Sequence, residues 1–299
     1  MDLTLENDEF LDGFDHLECH HLRNNIIDIF SLKINANEFN YSTLQDSLLD
    51  PLINYSLSRK VRAEYQGKPA ILSRRAREKF LDYLRNRGEL GELLLYCFLE
   101  SHLKAPKILS KLELKTSTSH YVNGADGVHF AKLEDGNFQI IFGESKTEEN
   151  LTTALSHAFK SIYEFKNEIN SSGAKKSGLP YEKGLISDHL EKETFSAEEK
   201  EFIKKIIYPR RESKFEVDDA FGIFIGYEIA IDESDRWLPN SEFRKKIQAK
   251  IKAEISERLT HIEKKITEYK LFGHYIYVYI LPFTELAKTR TKIQEEITK

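Results

Sequence analysis

Between Arg87 and Ser101 the apolar residues Leu90, Leu93, Leu94, Tyr96, Cys97, Phe98 and Leu99 cover most of a helix circumference, the pattern of a helix that the fold buries. Glu89 and Glu92 sit on it. Downstream the period shortens towards two. A strand is expected near Leu112 to Thr118, a second after Asp126, and a third from Phe138 to Lys146. Leu151 to Ile169 then returns to a helical period, and Ala220 to Ile231 is a Phe- and Ile-rich strand. Phe243, Ile247, Ile251, Ile255, Leu259, Ile262, Ile266 and Tyr269 recur every three or four residues. They predict one amphipathic helix of about 45 Å at 1.5 Å per residue. Tyr275 to Leu281 is a β-rich run that Pro282 is expected to end.

Helix, three strands, helix and strand, in that order, is the α/β arrangement of a restriction-endonuclease-like core, a mixed central sheet flanked by helices. A mainly helical N-terminal region precedes it, with Val61, Tyr65, Ile71, Leu72, Phe80, Leu81 and Leu84 as its inward positions. The expected division is residues 1–85, acidic and then basic, followed by residues 86–299, which hold the core, the long helix and the final strand.

The third strand carries the candidate chemistry. Side chains alternate across a strand, so Ile140, Phe142, Glu144 and Lys146 share one face, and two charges end an otherwise apolar row. Buried charges are costly unless they are paired or hold a metal. Asp126 lies upstream in the Gly-flanked segment Gly124-Ala125-Asp126-Gly127. Two carboxylates suit Mg²⁺ or Mn²⁺, and an adjacent Lys can orient or help deprotonate a water attacking a phosphodiester. The Glu-x-Lys tripeptide occurs seven times in the chain, so context must choose. The copies starting at Glu164, Glu198, Glu263 and Glu268 fall in helical patterns, where i and i+2 do not share a face. Glu212 lies in a polar loop. Glu113, in the first expected strand, precedes Asp126 and has Lys111 and Lys115 interrupting its row. Glu144 has an apolar strand before it, an Asp upstream and a helix after it.

Gly91 to Tyr96 (Gly-Glu-Leu-Leu-Leu-Tyr), Gly124 to His129 (Gly-Ala-Asp-Gly-Val-His) and Phe142 to Lys146 (Phe-Gly-Glu-Ser-Lys), in this order and spacing, resemble the HamA family, the nuclease subunits of bacterial Hachiman anti-phage systems. The resemblance spans roughly Arg87 to Leu281. It implies a DNA nuclease of the PD-(D/E)xK type that works with a partner helicase and is restrained until foreign or damaged DNA engages the complex. It also implies metal binding by Asp126 and Glu144, catalysis by Lys146, and an accessory acidic, metal-side role for Glu92. Ala125 stands where the superfamily has Pro, a change of backbone shape alone. The other reading is an inactive nucleic-acid-binding or adaptor subunit that keeps the nuclease fold.

The net charge of −5 conceals an asymmetry. Residues 1–50 hold eleven Asp or Glu against Arg23 and Lys33, whereas residues 58–87 hold ten Lys or Arg against Glu64, Glu78 and Asp82. Clustered positive charge is the footprint of a phosphate-binding surface. Arg59, Lys60, Arg74, Arg75 and Arg77 are therefore the candidate DNA contacts, and Lys204, Lys205, Arg210, Arg211 and Lys214 a second set. An ordinary amphipathic helix with its charges outward fits the first cluster as well. The acidic segment is read either as a cover for the basic surface or partner dock, or as an ordinary acidic surface. No apolar run approaches the ~20 residues of a membrane span, and the acidic N-terminus has no signal-peptide pattern. With two cysteines the expectation is a reducing cytoplasm. His16 and His20 lie four apart, a spacing that on a helix could ligate a metal, but no second pair stands nearby, so a surface or capping role is expected. His129 either reaches the site or fills the sheet. The segment Gly173 to Gly184 lacks the Gly-Lys-Ser/Thr ending of a phosphate loop, so ATP hydrolysis is not expected of this chain and the segment reads as a mobile insertion.

Overall fold

The computed structural model describes residues 2–5, 8–82, 88–114, 124–169, 173, 178–192, 194–209 and 212–299. After a 3-10 turn at Glu9–Gly13 come β1 (Phe14–Leu22), β2 (Asn25–Leu32) and the short pair β3 (Ile34–Asn35) and β4 (Glu38–Phe39). Four helices follow: α1 (Tyr41–Ser47), α2 (Leu49–Ser56), α3 (Arg59–Glu64) and α4 (Pro69–Asp82). The buried helix is α5 (Glu89–Ser101), and after it come β5 (Lys107–Ser110), α6 (Lys111–Leu114), β6 (Gly127–Lys132), β7 (Phe138–Glu148) and α7 (Leu151–Lys166). The chain continues through α8 (Leu179–Lys192), α9 (Ala197–Ile207), β8 (Val217–Glu228), α10 (Asn240–Ser256), α11 (Leu259–Glu268), β9 (Ile276–Phe283) and α12 (Leu286–Thr298).

Seven strands form one mixed sheet in the order β1-β2-β9-β8-β7-β6-β5. Its centre, β2, β9, β8 and β7, is parallel, and its two flanks are antiparallel. Helices cover both faces, which is why the central strands are continuous apolar runs; all eight residues of β9 are buried. Odd-numbered Ser145 and Thr147 of β7 face α5, because a Cβ on Gly91 would lie 2.8 Å from Thr147 Oγ1 and 3.3 Å from Ser145 Cβ. Even-numbered Phe142 packs on Phe165 of α7, with ring centroids 5.4 Å apart. This is the α/β sandwich of a restriction-endonuclease-like core, with α5 and α7 on its two sides.

Several local expectations change. The N-terminal region is helical from Tyr41 onward, but β1 and β2 precede those helices and join the sheet. Their hairpin turns through Arg23-Asn24, with Arg23 at φ 58°. A primed turn needs that positive φ at its first position, and the usual Gly signal is absent there. Residues 111–114 form a helical turn instead of the start of a strand, and 115–118 lie outside the described residues. The long C-terminal helix is two helices, broken at Glu257 and Arg258. In a 3.6-residue helix each four-residue step drifts by about 40°, so the row from Phe243 to Ile255 would leave the core if it ran on straight. At the break Arg258 donates to Thr152 Oγ1 at 2.9 Å, and α11 turns Ile262 and Ile266 inward against α7. Pro282 lies inside β9, past the last residue paired with β2, Ile280, so its missing N–H costs no ladder bond on that side. His16 and His20 stand on β1, a strand. The segment read as an insertion enters α8 at Leu179, while residues 174–177 lie outside the described residues. Among the described residues no helix is long and apolar enough to cross a membrane.

Candidate active site

The two-residue alternation of β7 brings Glu144 and Lys146 to the end of the strand, on the α7 side of the sheet. Gly127 opens β6 beside it, and Asp126 precedes that strand, its amide donating to Gly143 O at 2.8 Å. The Asp126 carboxylate thus points at β7: Oδ2 accepts from the Ser145 amide at 2.8 Å and from Ser145 Oγ at 3.0 Å. Lys111 Nζ donates to Asp126 Oδ1 at 3.0 Å and lies 3.6 Å from Glu92 Oε1. Tyr55, from α2, donates to Glu92 Oε2 at 2.9 Å. Lys146 donates to Glu144 Oε1. Glu92, Lys111, Asp126, Glu144, Ser145 and Lys146 line one cavity of about 230 Å³, with Ile162 and Phe165 of α7 as its apolar wall.

Burial would raise the Asp126 carboxyl, but the Lys111 and Lys146 ammonium groups, with the hydrogen bonds from Lys111 and Ser145, outweigh it and hold Asp126 below the ordinary carboxylate range. Glu144 is shifted the other way, by burial and then by the negative charge of Asp126, against the opposing pull of Lys146. For Lys146, burial disfavours the charge, yet Glu144 and Asp126 overcome it and keep it a firm ammonium.

The donor set is oxygen-only: Asp126 and Glu144, with Glu92 behind Lys111. Oxygen donors of this kind suit a hard divalent cation such as Mg²⁺ or Mn²⁺. The mutual repulsion that raises Glu144 is what such a cation would relieve. A further carboxylate, Glu182 from α8, is buried against Gly124 with neither oxygen in a hydrogen bond of normal geometry. Burial pushes it up to about 7, while the Ala125 amide and Lys111 pull the other way. Excess acid in one small space is a further sign that the residues fit a cation.

Sequence reasoning missed Lys111, Ser145, Tyr55 and Glu182. Lys111 had a signal, since it interrupts an apolar row, but that counts only against the Glu113 copy of the tripeptide and does not point to Asp126. Ser145 is the middle residue of Glu144-Ser145-Lys146 and braces Asp126 from there. Tyr55 and Glu182 carried no local signal. The rival Glu113 is structural: it bonds Lys107 Nζ at 2.5 Å and the Ser110 amide at 2.9 Å. His129 fills the sheet, its Nδ1 2.9 Å from Ala105 O, and burial pushes it down to about 3.

Of the basic residues, Lys60, Arg74 and Arg75 are exposed, and Arg75 stacks over Tyr65 at 4.2 Å. Arg77 is half-buried, and Arg59 is partly covered by Phe195, with its Cζ 4.8 Å from the ring. Lys204, Lys205 and Lys214 lie in and after α9, and Arg210 and Arg211 are outside the described residues. In the acidic segment Asp8 pairs with Lys104, and Glu38 lies 3.7 Å from Arg236.

The three motifs around this cavity lie within residues 8–297, which match the HamA family model. The chain belongs to the HamA family. No curated protein matches it. HamA membership implies a role in Hachiman anti-phage defence. In HamA terms, the match reaches back over β1 and β2, well beyond the Arg87 to Leu281 span that carried the resemblance.

Proposed function

We propose that this HamA-family chain is a metal-dependent DNA endonuclease that hydrolyses phosphodiester bonds in anti-phage defence, together with a partner helicase. The observation that supports this reading is the convergence of Asp126, Glu144 and Lys146, with Glu92, on one cavity at the end of β7. Asp126 and Glu144 would hold Mg²⁺ or Mn²⁺, with Glu92 in an accessory position. Such an ion supplies Lewis-acid polarisation of the phosphoryl oxygens and makes nearby water more acidic.

The chain's own groups do the rest. Ser145 locks Asp126 through two donors, so the carboxylate keeps its orientation without substrate. Lys146 stays protonated beside Glu144, which suits it to orient the attacking water and to offset the charge that builds on the phosphate, and makes it a poor proton acceptor. Lys111 neutralises Asp126 and Glu92 from the opposite side. The exposed Lys60, Arg74 and Arg75 give the DNA backbone a sequence-independent contact.

The test is cleavage of supercoiled and linear DNA with Mg²⁺ or Mn²⁺, wild type beside Lys146→Ala, each with and without a Hachiman partner helicase. Cleavage by wild type and loss in the variant are expected. If neither protein cuts under any condition while both bind DNA equally, the chain is an adaptor on a nuclease fold.

A further inference from the structure

At the C-terminal end of α5, away from the cavity at its N-terminal end, three ligand-type side chains meet. His16 on β1, Asp28 on β2 and His102 at the C-cap of α5 place their ligand atoms within 4.8 Å of one another. His16 Nε2 is 2.8 Å from Asp28 Oδ1, and His102 Nδ1 is 3.9 Å from Asp28 Oδ2. Tetrahedral zinc with bonds of about 2.0–2.1 Å sets its ligand atoms about 3.4 Å apart; the two distances to Asp28 are within about 0.6 Å of that, and the set as a whole, within 4.8 Å, closes with shifts of up to about 1.4 Å.

A bulge builds the group. The register of β1 against β2 slips between His16 and Glu18, so that His16, Cys19 and His21 become the outward residues of one strand face. Cys19 stands opposite Asp28, with its thiol against that carboxylate, and its Sγ is 3.7 Å from His21 Nε2. Without the slip, His16 and Cys19 would point to opposite faces.

Both histidine rings are already held in place. His16 stacks on Phe30 at 4.6 Å, and His102 meets Phe30 and Tyr279 edge-on at 5.3 Å and 5.7 Å. Tyr279, paired with Asp28 in the sheet, has a buried hydroxyl without a hydrogen bond. The inner side is thus buried and aromatic, and the outer side opens to solvent past exposed His16 and Cys19, which gives an ion a path in.

We propose that His16, Asp28 and His102, with water in the fourth position, form a zinc-class transition-metal site distinct from the nuclease centre. Two imidazoles with one carboxylate select a borderline metal such as Zn²⁺ over Mg²⁺, the preference opposite to that of the all-oxygen cavity. The ion ties edge strand β1 and strand β2 to the end of α5. Glu92 rides on the same helix, about 15 Å away along its axis.

Full-length protein is stripped with a chelator, loaded with Zn²⁺ alone, gel-filtered and assayed for bound metal and for melting temperature. One zinc per chain and a raised melting temperature are expected for wild type and for Asp126→Asn. Both are expected to be lost in His16→Gln/His102→Gln, whose circular dichroism confirms the fold. Co²⁺ loading of the unsubstituted chain should give the intense visible bands of a tetrahedral site. The proposal is overturned if wild type retains no zinc, if the double variant retains as much as wild type, or if Co²⁺ gives only the weak spectrum of an octahedral ion.

Discussion

Replacing Lys111 with Met removes a charge while keeping most of the volume, and the surroundings determine what that costs. Lys111 is 9% exposed at its side chain, Asp126 9% and Glu92 7%, so the cluster belongs with buried ion pairs. At an effective dielectric of about 20, unit charges 3.0–3.6 Å apart attract by about 5 kcal/mol before desolvation. Removing one partner of such a group typically costs about 3–5 kcal/mol, because the remaining carboxylates stay buried and uncompensated. Lys146 still acts on Asp126, so we expect about 3 kcal/mol and, for a chain of this size, a fall in melting temperature of at least about 5 °C. The deficit should depend on pH. In wild type, Asp126 titrates below its unfolded value, so its contribution is present at neutral pH and lost only as pH falls through the lowered value. In Lys111→Met the main lowering influence is gone, the folded carboxyl rises, and acidification returns stability to the variant. Melting curves for both proteins at neutral and mildly acidic pH, with and without Mg²⁺, test this. The gap should narrow on acidification and on adding Mg²⁺, because loss of the Lys111 ammonium beside Asp126 and Glu92 strengthens cation binding in the variant, and a tighter folded-state ligand stabilises more. An unchanged melting temperature, or a gap equal under all conditions, would refute the role of Lys111 as counter-ion.

Gly91→Ala places a Cβ 2.8 Å from Thr147 Oγ1 and 3.3 Å from Ser145, so α5 must move off β7; a loss of about 1–3 kcal/mol in urea unfolding and a larger loss of cleavage are expected. Tyr55→Phe deletes the donor to Glu92 at 2.9 Å and should cost about 1.5–3 kcal/mol, read by the same unfolding. Glu182 has its folded pKa raised from 4.5 to about 7, so the stability it contributes is full below 4.5 and lost as pH rises through about 7. Glu182→Gln should therefore be more stable than wild type above that range, and denaturant midpoints that stay parallel across it would contradict this. Arg74→Ala/Arg75→Ala should weaken DNA binding on every sequence and lower the salt slope by about two, measured by titration at several salt concentrations.

The helical period of Arg87 to Ser101, the alternation of Phe138 to Lys146 and the apolar run of β8 were each decided locally, and they located α5, β7 and β8 within a few residues. The pairing of Glu144 and Lys146 on one face needed only the two-residue repeat of a strand. Local signals fail where a turn uses an unusual residue, as at Arg23, or where a helix must bend to follow the core, as at Arg258. They fail more fully where groups meet across the chain. Tyr55 reaches Glu92 from another helix, Lys111 reaches Asp126 from a turn that resembled a strand, and Glu182 arrives from α8. His16 and His20, expected from their spacing to serve at the surface or in a cap, lie on one strand, and a strand bulge and a helix end bring His16 and His102 to the same Asp28. Sequence determined which elements form, because hydrogen-bond periodicity and burial act over a few residues. The tertiary structure alone decided which charges face each other, because burying a carboxylate is tolerable only once a distant partner has been carried to it.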